Sequence, residues 1–440
     1  MEPTRLNPDL MRAVEGLNYR VTAGDLATRA GLDINLAQQG LLALASEAGG
    51  HLQVAESGEI VYLFPPNFRA ILRNKYFRLR LQEWWERVWR VLFYLIRISF
   101  GIILILSLVI ILVTIAAIVI ALSFNNDNNS DSGDSFGGIP EGLFSPDIFW
   151  IFIPDTYGSS STSRRAASRK NDSMNFLEAV FSFLFGDGNP NADLEQRRWR
   201  QIGAVIQKNR GAVVAEQIAP YLDNLGQGFA REYEDYMLPV LTRFNGKPEV
   251  SPEGAIVYHF PDLQTTAANQ IKQSVPAYLK EKPWRFSHAS SGQLMAAASL
   301  GAVNFVGALV LGYLLAGGTA TLALGGAVSI IQAIYWLLFG YGTGFLGIPL
   351  VRYFWLQRHN RKLAQRNEER QQRAVQMTHL DPDLRAKLNY ARQFAGQTVI
   401  QQEDLVYTTE RDMLEQDLEQ ADRIDAEWQE RLNASNPPDR

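Results

Sequence analysis

ISFGIILILSLVIILVTIAAIVIAL, residues 98–122, is 25 residues long and carries no charge, proline or asparagine. A helix needs about 20 apolar residues to cross about 30 Å of hydrocarbon, so this stretch reads as transmembrane helix 1. It begins too far into the chain to be a cleaved signal peptide. Every other segment is therefore placed relative to a bilayer.

On its N-terminal side, residues 67–97 read as a basic, tryptophan-bearing juxtamembrane helix. Between Arg69 and Arg97 lie eight basic and two acidic residues. Trp84, Trp85 and Trp89, interleaved with Arg87 and Arg90, are the residue types that favour the headgroup layer, and they are the candidate membrane-interface residues. The charge bias puts the N-terminal domain in the cytoplasm. On the other side, residues 124–157 hold six acidic residues and no basic one. Residues 123–171 read as a flexible acidic loop with an interfacial segment at 143–154.

Two further spans are expected, at 293–316 and 321–350, joined too tightly for anything but a helical hairpin. Small residues recur four apart, at Ala297/Gly301, Ala308/Gly312 and Gly340/Gly344, which lets helix backbones approach closely. Asn304 and Gln332 are the intramembrane polar residues, and each needs a partner at that depth. Both flanks of this hairpin are basic, whereas a single crossing at 98–122 would put residues 124–292 outside. Either the middle of the chain is translocated or the region 98–157 re-enters; shared cytoplasmic placement of both soluble domains is the expectation.

Residues 1–66 read as three helices followed by a hairpin, the order of a winged-helix domain. Residues 172–262 read the same way, with helices at 213–222 and 231–244, and 263–292 is a linker. VAESGEIVYLFP at 54–65 aligns with VSPEGAIVYHFP at 250–261 at a constant offset of 196, the mark of one unit used twice. Tyr62, Phe64, Tyr258 and Phe260 are expected to pack the cores. DNA binding is disfavoured, because no Lys or Arg occurs between Arg29 and Arg69, where the groove-reading helix falls. Residues 351–440 form a C-terminal helical tail, strongly acidic from 401 onward.

The chain has no cysteine and a net charge of -4. That removes disulfides, thiolate catalysis and Cys-based metal or cluster sites. Asp187, Asn189, Asn191 and Asp193 have the spacing of a calcium loop, but Ala192 stands where the turn glycine belongs and Arg198 where the bidentate Glu belongs. No catalytic constellation, metal site or cofactor site is expected, and no enzyme.

NFLEAVFSFLFGDGNPN at 175–191, the following Arg-Arg-Trp helix, the small-residue hairpin and TVIQQEDL at 398–405 resemble an uncharacterised integral membrane protein family of cyanobacteria and plastids. The resemblance implies a bacterial plasma or thylakoid membrane. No transit peptide is visible, which suits a bacterial source. The fold class expected is a mainly α membrane protein, with an α-helical transmembrane part plus two winged-helix-like α+β soluble domains. Three functions follow. The first is a membrane-anchored scaffold or assembly factor using protein–protein contacts at the membrane surface. The others are a transporter or channel component and a membrane-tethered transcription regulator. Partners are the lipid bilayer and a protein not identified, with no nucleic acid; self-association into a homo-oligomer stays open.

Overall fold

A computed structural model of the chain describes residues 8–75, 77–126, 174–228, 232–267, 274–316, 328–379 and 381–435. They fall into two compact units, one from 1–84, 191–282 and 363–440, the other from 85–190 and 283–362.

The first unit opens with α1 (Pro8–Gly16), β1 (Arg20–Val21), α2 (Ala23–Ala30), α3 (Ile34–Ala48), β2 (His51–Ala55) and β3 (Ile60–Leu63). Thr22 and Asp25 form a capping box at the start of α2, and Gly31, at φ +70°, ends it. Asp33 accepts from the Asn35 and Leu36 amides to start α3. The second stretch runs α4 (Phe68–Lys75), then, after residues of the other unit, α7 (Leu194–Lys208), β4 (Ala212–Val213), α8 (Ala215–Ile218), α9 (Leu238–Phe244), β5 (Lys247–Val250) and β6 (Ile256–His259). The β5–β6 register repeats that of β2–β3 at the offset of 196: Leu52↔Tyr62 corresponds to Pro248↔Tyr258, and Val54↔Ile60 to Val250↔Ile256. The hairpin turns repeat too, Ala55 N–H to Glu59 C=O matching Ser251 N–H to Ala255 C=O.

The two stretches differ in their helices. The expected helix at 213–222 is α-helical only over α8, continuing as a 3₁₀ turn at Ala219–Tyr221. The one at 231–244 narrows to a 3₁₀ turn at Asp235–Met237 and then α9. Pro220 and Pro239 explain both, since proline cannot donate and is tolerated only in a first turn.

Both stretches bury one core, with Val14, Leu26, Leu41 and Leu44 joined by Ile202, Ile206, Phe244 and Phe260. Tyr62, Phe64, Tyr258 and Phe260 are all buried. Close approach is made by glycine: a Cβ on Gly24 would strike the Asp262 carbonyl, and one on Gly203 would meet Thr28 at 3.1 Å. The C-terminal tail is woven into the same unit. α12 (Pro382–Ala391) lays Leu384, Leu388 and Ala391 on Val214 and Val257. β8 (Thr398–Val399) pairs in parallel with β7 (Thr265–Thr266), inside the stretch read as linker. β9 (Leu405–Thr408) extends the first sheet to β1–β3–β2–β9, while the second stays β4–β6–β5. α13 (Met413–Ser435) ends the chain's described part.

Among the described residues, three helices are long and apolar enough to cross a membrane, with most of their length in the second unit. The stretch expected as one juxtamembrane helix starts with the separate α4; from Phe77 on, it and the first transmembrane segment are one helix, α5 (Phe77–Asn126). α10 is Ser291–Ala316. α11 (Val328–Gln376) runs unbroken past position 350, through Pro349, so the tail helix and the third apolar segment are continuous. α6 (Phe176–Phe185), assigned by sequence to the second soluble domain, instead packs Val180 and Leu184 against Leu104, Leu108, Ala297 and Leu300. The expected loop with its interfacial segment, beyond Asn126, and the hairpin turn at 317–321 lie outside the described residues.

Candidate functional site

Within the second unit, Asn304 is fully buried and donates from Nδ2 to Ser107 Oγ at 2.6 Å. Its Oδ1 has no hydrogen-bond partner and faces Gly342, where a Cβ would come within 3.0 Å. The node therefore ties α5, α10 and α11 together. Gln332 does not join it, and its side chain is exposed. Of the small-residue pairs, Ala297, Gly301 and Ala308 are buried, with Gly301 against the Phe345 ring. Gly340 has open space, and Gly342 makes the close contact expected at Gly340/Gly344. Ser107 and Gly342 were not singled out by sequence; a lone hydroxyl on an apolar helix carries no sign of which neighbour it meets.

Asp187 is the centre of the second cluster. Its carboxylate accepts from Arg97 (2.7 Å), Ser182 Oγ (2.7 Å) and the His288 amide (2.7 Å), with His288 Nδ1 at 3.2 Å. Ser182 Oγ also meets Ser287 Oγ at 2.6 Å. Beside it, the Arg352 guanidinium donates to the carbonyls of Ser182, Phe183 and Phe286 and stacks 4.4 Å from the Phe286 ring. Two of these carbonyls close the C-terminal turn of α6, where partners and positive charge are both favoured. Gly186, at φ +80°, leaves room for that guanidinium. The calcium-like spacing is thus used for structure: Asp187 is saturated by donors, and Asn191 clamps the Lys282 amide and carbonyl at 2.8 and 2.7 Å. Among the described residues no group of three or more His, Asp or Glu is placed to hold a metal ion. An apolar groove of about 500 Å³ lies nearby, lined by Phe183, Phe286, Leu346, Pro349, Leu350 and Tyr353.

Trp84, Trp85 and Trp89 are each more than half exposed on α5, and Arg87 and Arg90 are exposed with them.

The first unit offers exposed helix surfaces. The outer face of α3 presents Asn35, Leu36, Gln38, Gln39, Leu42 and Ser46, all exposed and none charged. Over α9 and the turn before it, Glu232, Tyr233, Asp235 and Leu238 are exposed. Arg243 turns inward, donating to the Gly31 carbonyl at 2.6 Å and stacking on Trp199. Charged residues inside the unit are consumed by packing. Arg370, with a side chain 1% exposed, bridges Asp223 and Glu281, and Arg366 adds two bonds to Glu281 at 2.8 and 2.6 Å. Burial would raise both carboxyls, but the Arg366, Arg370 and Arg198 bonds and charges hold Glu281 and Asp223 below the usual range. Lys387 pairs with Glu216 and Glu234, and Tyr258 donates to Glu234, fastening α12.

A chloroplastic protein of Arabidopsis thaliana, described as uncharacterised, is 37% identical over 430 residues, covering 95% of this chain and 81% of that protein. No family model and no solved structure matches the chain.

Proposed function

The chain belongs to the family of that chloroplastic plant protein, and from there we propose that it is a membrane-anchored scaffold or assembly factor, working in a plastid or bacterial membrane through protein contacts. The two modules of the first unit are read as winged-helix units from one duplicated ancestor, which the common hairpin register supports. The observation that carries the function is the outer face of α3. In a winged-helix domain that face enters the major groove and needs cationic groups for phosphate. Here it offers amides and leucines, a chemistry suited to protein. Leu36 is 44% exposed and Leu42 54% exposed.

The topology follows from the shared core. Residues 8–75, 191–267 and 381–435 are packed into one body, which supports placing all of them on one face of the bilayer; the charge rule favours the cytoplasmic or stromal one. A lone crossing by α5 would separate them.

A transport role has less support, because Asn304 donates to Ser107 and Gln332 is exposed and not part of that pair. The test is native electrophoresis of detergent-solubilised membranes. The chain should migrate in a discrete complex that Leu36→Glu/Leu42→Glu dismantles, while the purified variant keeps its unfolding temperature. Migration of the unaltered chain at its own mass would defeat the proposal. Deleting residues 1–66 is a poorer test, since it would open the common core.

A further inference from the structure

We propose that α13 is a docking element for a basic amphipathic helix of another protein. This rests on the scaffold reading and gives that partner a chemistry. The helix is fastened at its start: Gln416 donates to the Thr408 carbonyl and accepts from the Thr408 amide, both at 2.8 Å, in the way a next strand would. Beyond that point it displays a stripe of large apolar side chains. Leu414 is 74% exposed, Leu418 78% and Trp428 59%, at spacings that put them on one helical face. Such a stripe in a chain end is the anchor pattern of helix-to-helix recognition.

Charge selects the occupant. Over 413–435 the sequence has seven acidic residues and two arginines. An anionic lipid surface would repel this helix, and so would a second α13 with the same excess. A helix with lysine or arginine flanking its own apolar stripe answers both the stripe and the carboxylates.

The experiment uses the full chain in nanodiscs and two synthetic amphipathic peptides matched to the length of α13, one with lysine flanks and one with glutamate flanks. The lysine peptide should bind and the glutamate peptide should not. Leu414→Gln/Leu418→Gln should weaken binding roughly tenfold or more, given the worth of burying leucine side chains. Glu415→Lys/Asp425→Lys, which keeps the stripe, should weaken the lysine peptide and admit the glutamate one. Circular dichroism of each variant checks that the helix persists. Equal binding of the two peptides overturns the proposal. So does α13-dependent uptake onto phosphatidylglycerol vesicles, or a dimer that the leucine variant abolishes. If the native complex responds to Leu36→Glu/Leu42→Glu while peptide binding fails, the scaffold reading stands and the α13 assignment falls alone.

Discussion

Ser107 and Asn304 show how a single polar pair is expressed in an apolar setting. The amide at position 304 was legible from sequence as a group needing a partner; which hydroxyl or backbone would answer it was not. Ser107→Ala leaves a fully buried amide unpaired, a change that costs roughly 1–3 kcal/mol. The expected outcome is a lower unfolding temperature in detergent, with Thr114→Ala as a control, since its hydroxyl bonds only within its own helix. Gly342→Val should be at least as damaging, because its side chain would meet Asn304 and the Phe305 backbone. Arg370 is the corresponding residue of the first unit. Glu281 and Asp223 ionise more readily in the folded protein than unfolded, so they stabilise it above the ordinary carboxylate range, and that stability is lost as pH falls through their depressed values. Unfolding should therefore ease below about pH 4. Arg370→Met should remove much of that pH dependence and destabilise the unit at neutral pH by about 3–5 kcal/mol. A pH series of thermal unfolding for both proteins is the measurement.

At the scale of elements, the C-terminal tail poses the sharper question: why β9 joins β2 and leaves the matching edge of β5 alone. Along β2 the groups facing outward belong to Leu52, Val54 and Glu56; Leu52 accepts from Thr409, and Glu56 donates to Asp404. At the offset of 196 these positions are Pro248, Val250 and Pro252. Two of the three outward donors are missing, and proline on an edge strand is a recognised guard against further pairing. The remaining Val250 carbonyl is taken by the Tyr390 hydroxyl at 3.2 Å. The tail has one template, not two. Leu52→Pro/Glu56→Pro should make the first edge resemble the second, so hydrogen exchange at 405–408 should rise to unprotected rates while α1–α3 stay protected. Unchanged protection of β9 would show that its pairing with β2 contributes little. In sequence, LDPDL at 380–384 and IQQEDL at 400–405 echo LNPDL at 6–10 and VTAGDL at 21–26. The folded tail instead serves both: α12 covers the second sheet and β9 completes the first.

At the scale of the whole molecule, topology is the main consequence. Because the chain has no cysteine, single thiols can be placed at will. Ser57→Cys, Glu253→Cys and Glu410→Cys sit at exposed positions on three separate stretches of the first unit. In sealed, oriented vesicles an impermeant maleimide should label all three from the same side or none of them. Labelling of Glu253→Cys from the opposite side to Ser57→Cys would rule out a common face.

The sequence by itself determined the apolar helices, the two hairpins with their buried Tyr and Phe residues, and the caps at Thr22, Asp33 and Gly31. Each depends on residues within a few positions of one another, or on a periodicity read along one element. It also determined that thiol chemistry is absent. The tertiary structure alone decided that the modules share a core, that Asp187 serves Arg97 and His288, and that α6 packs with the apolar helices. It also decided which strand edge the tail completes. Those outcomes bring together residues far apart in the chain, and local patterns carry no record of such pairings. Residues 98–122 made the bilayer the frame, but only the packing of 8–75 against 191–267 made the two modules one body.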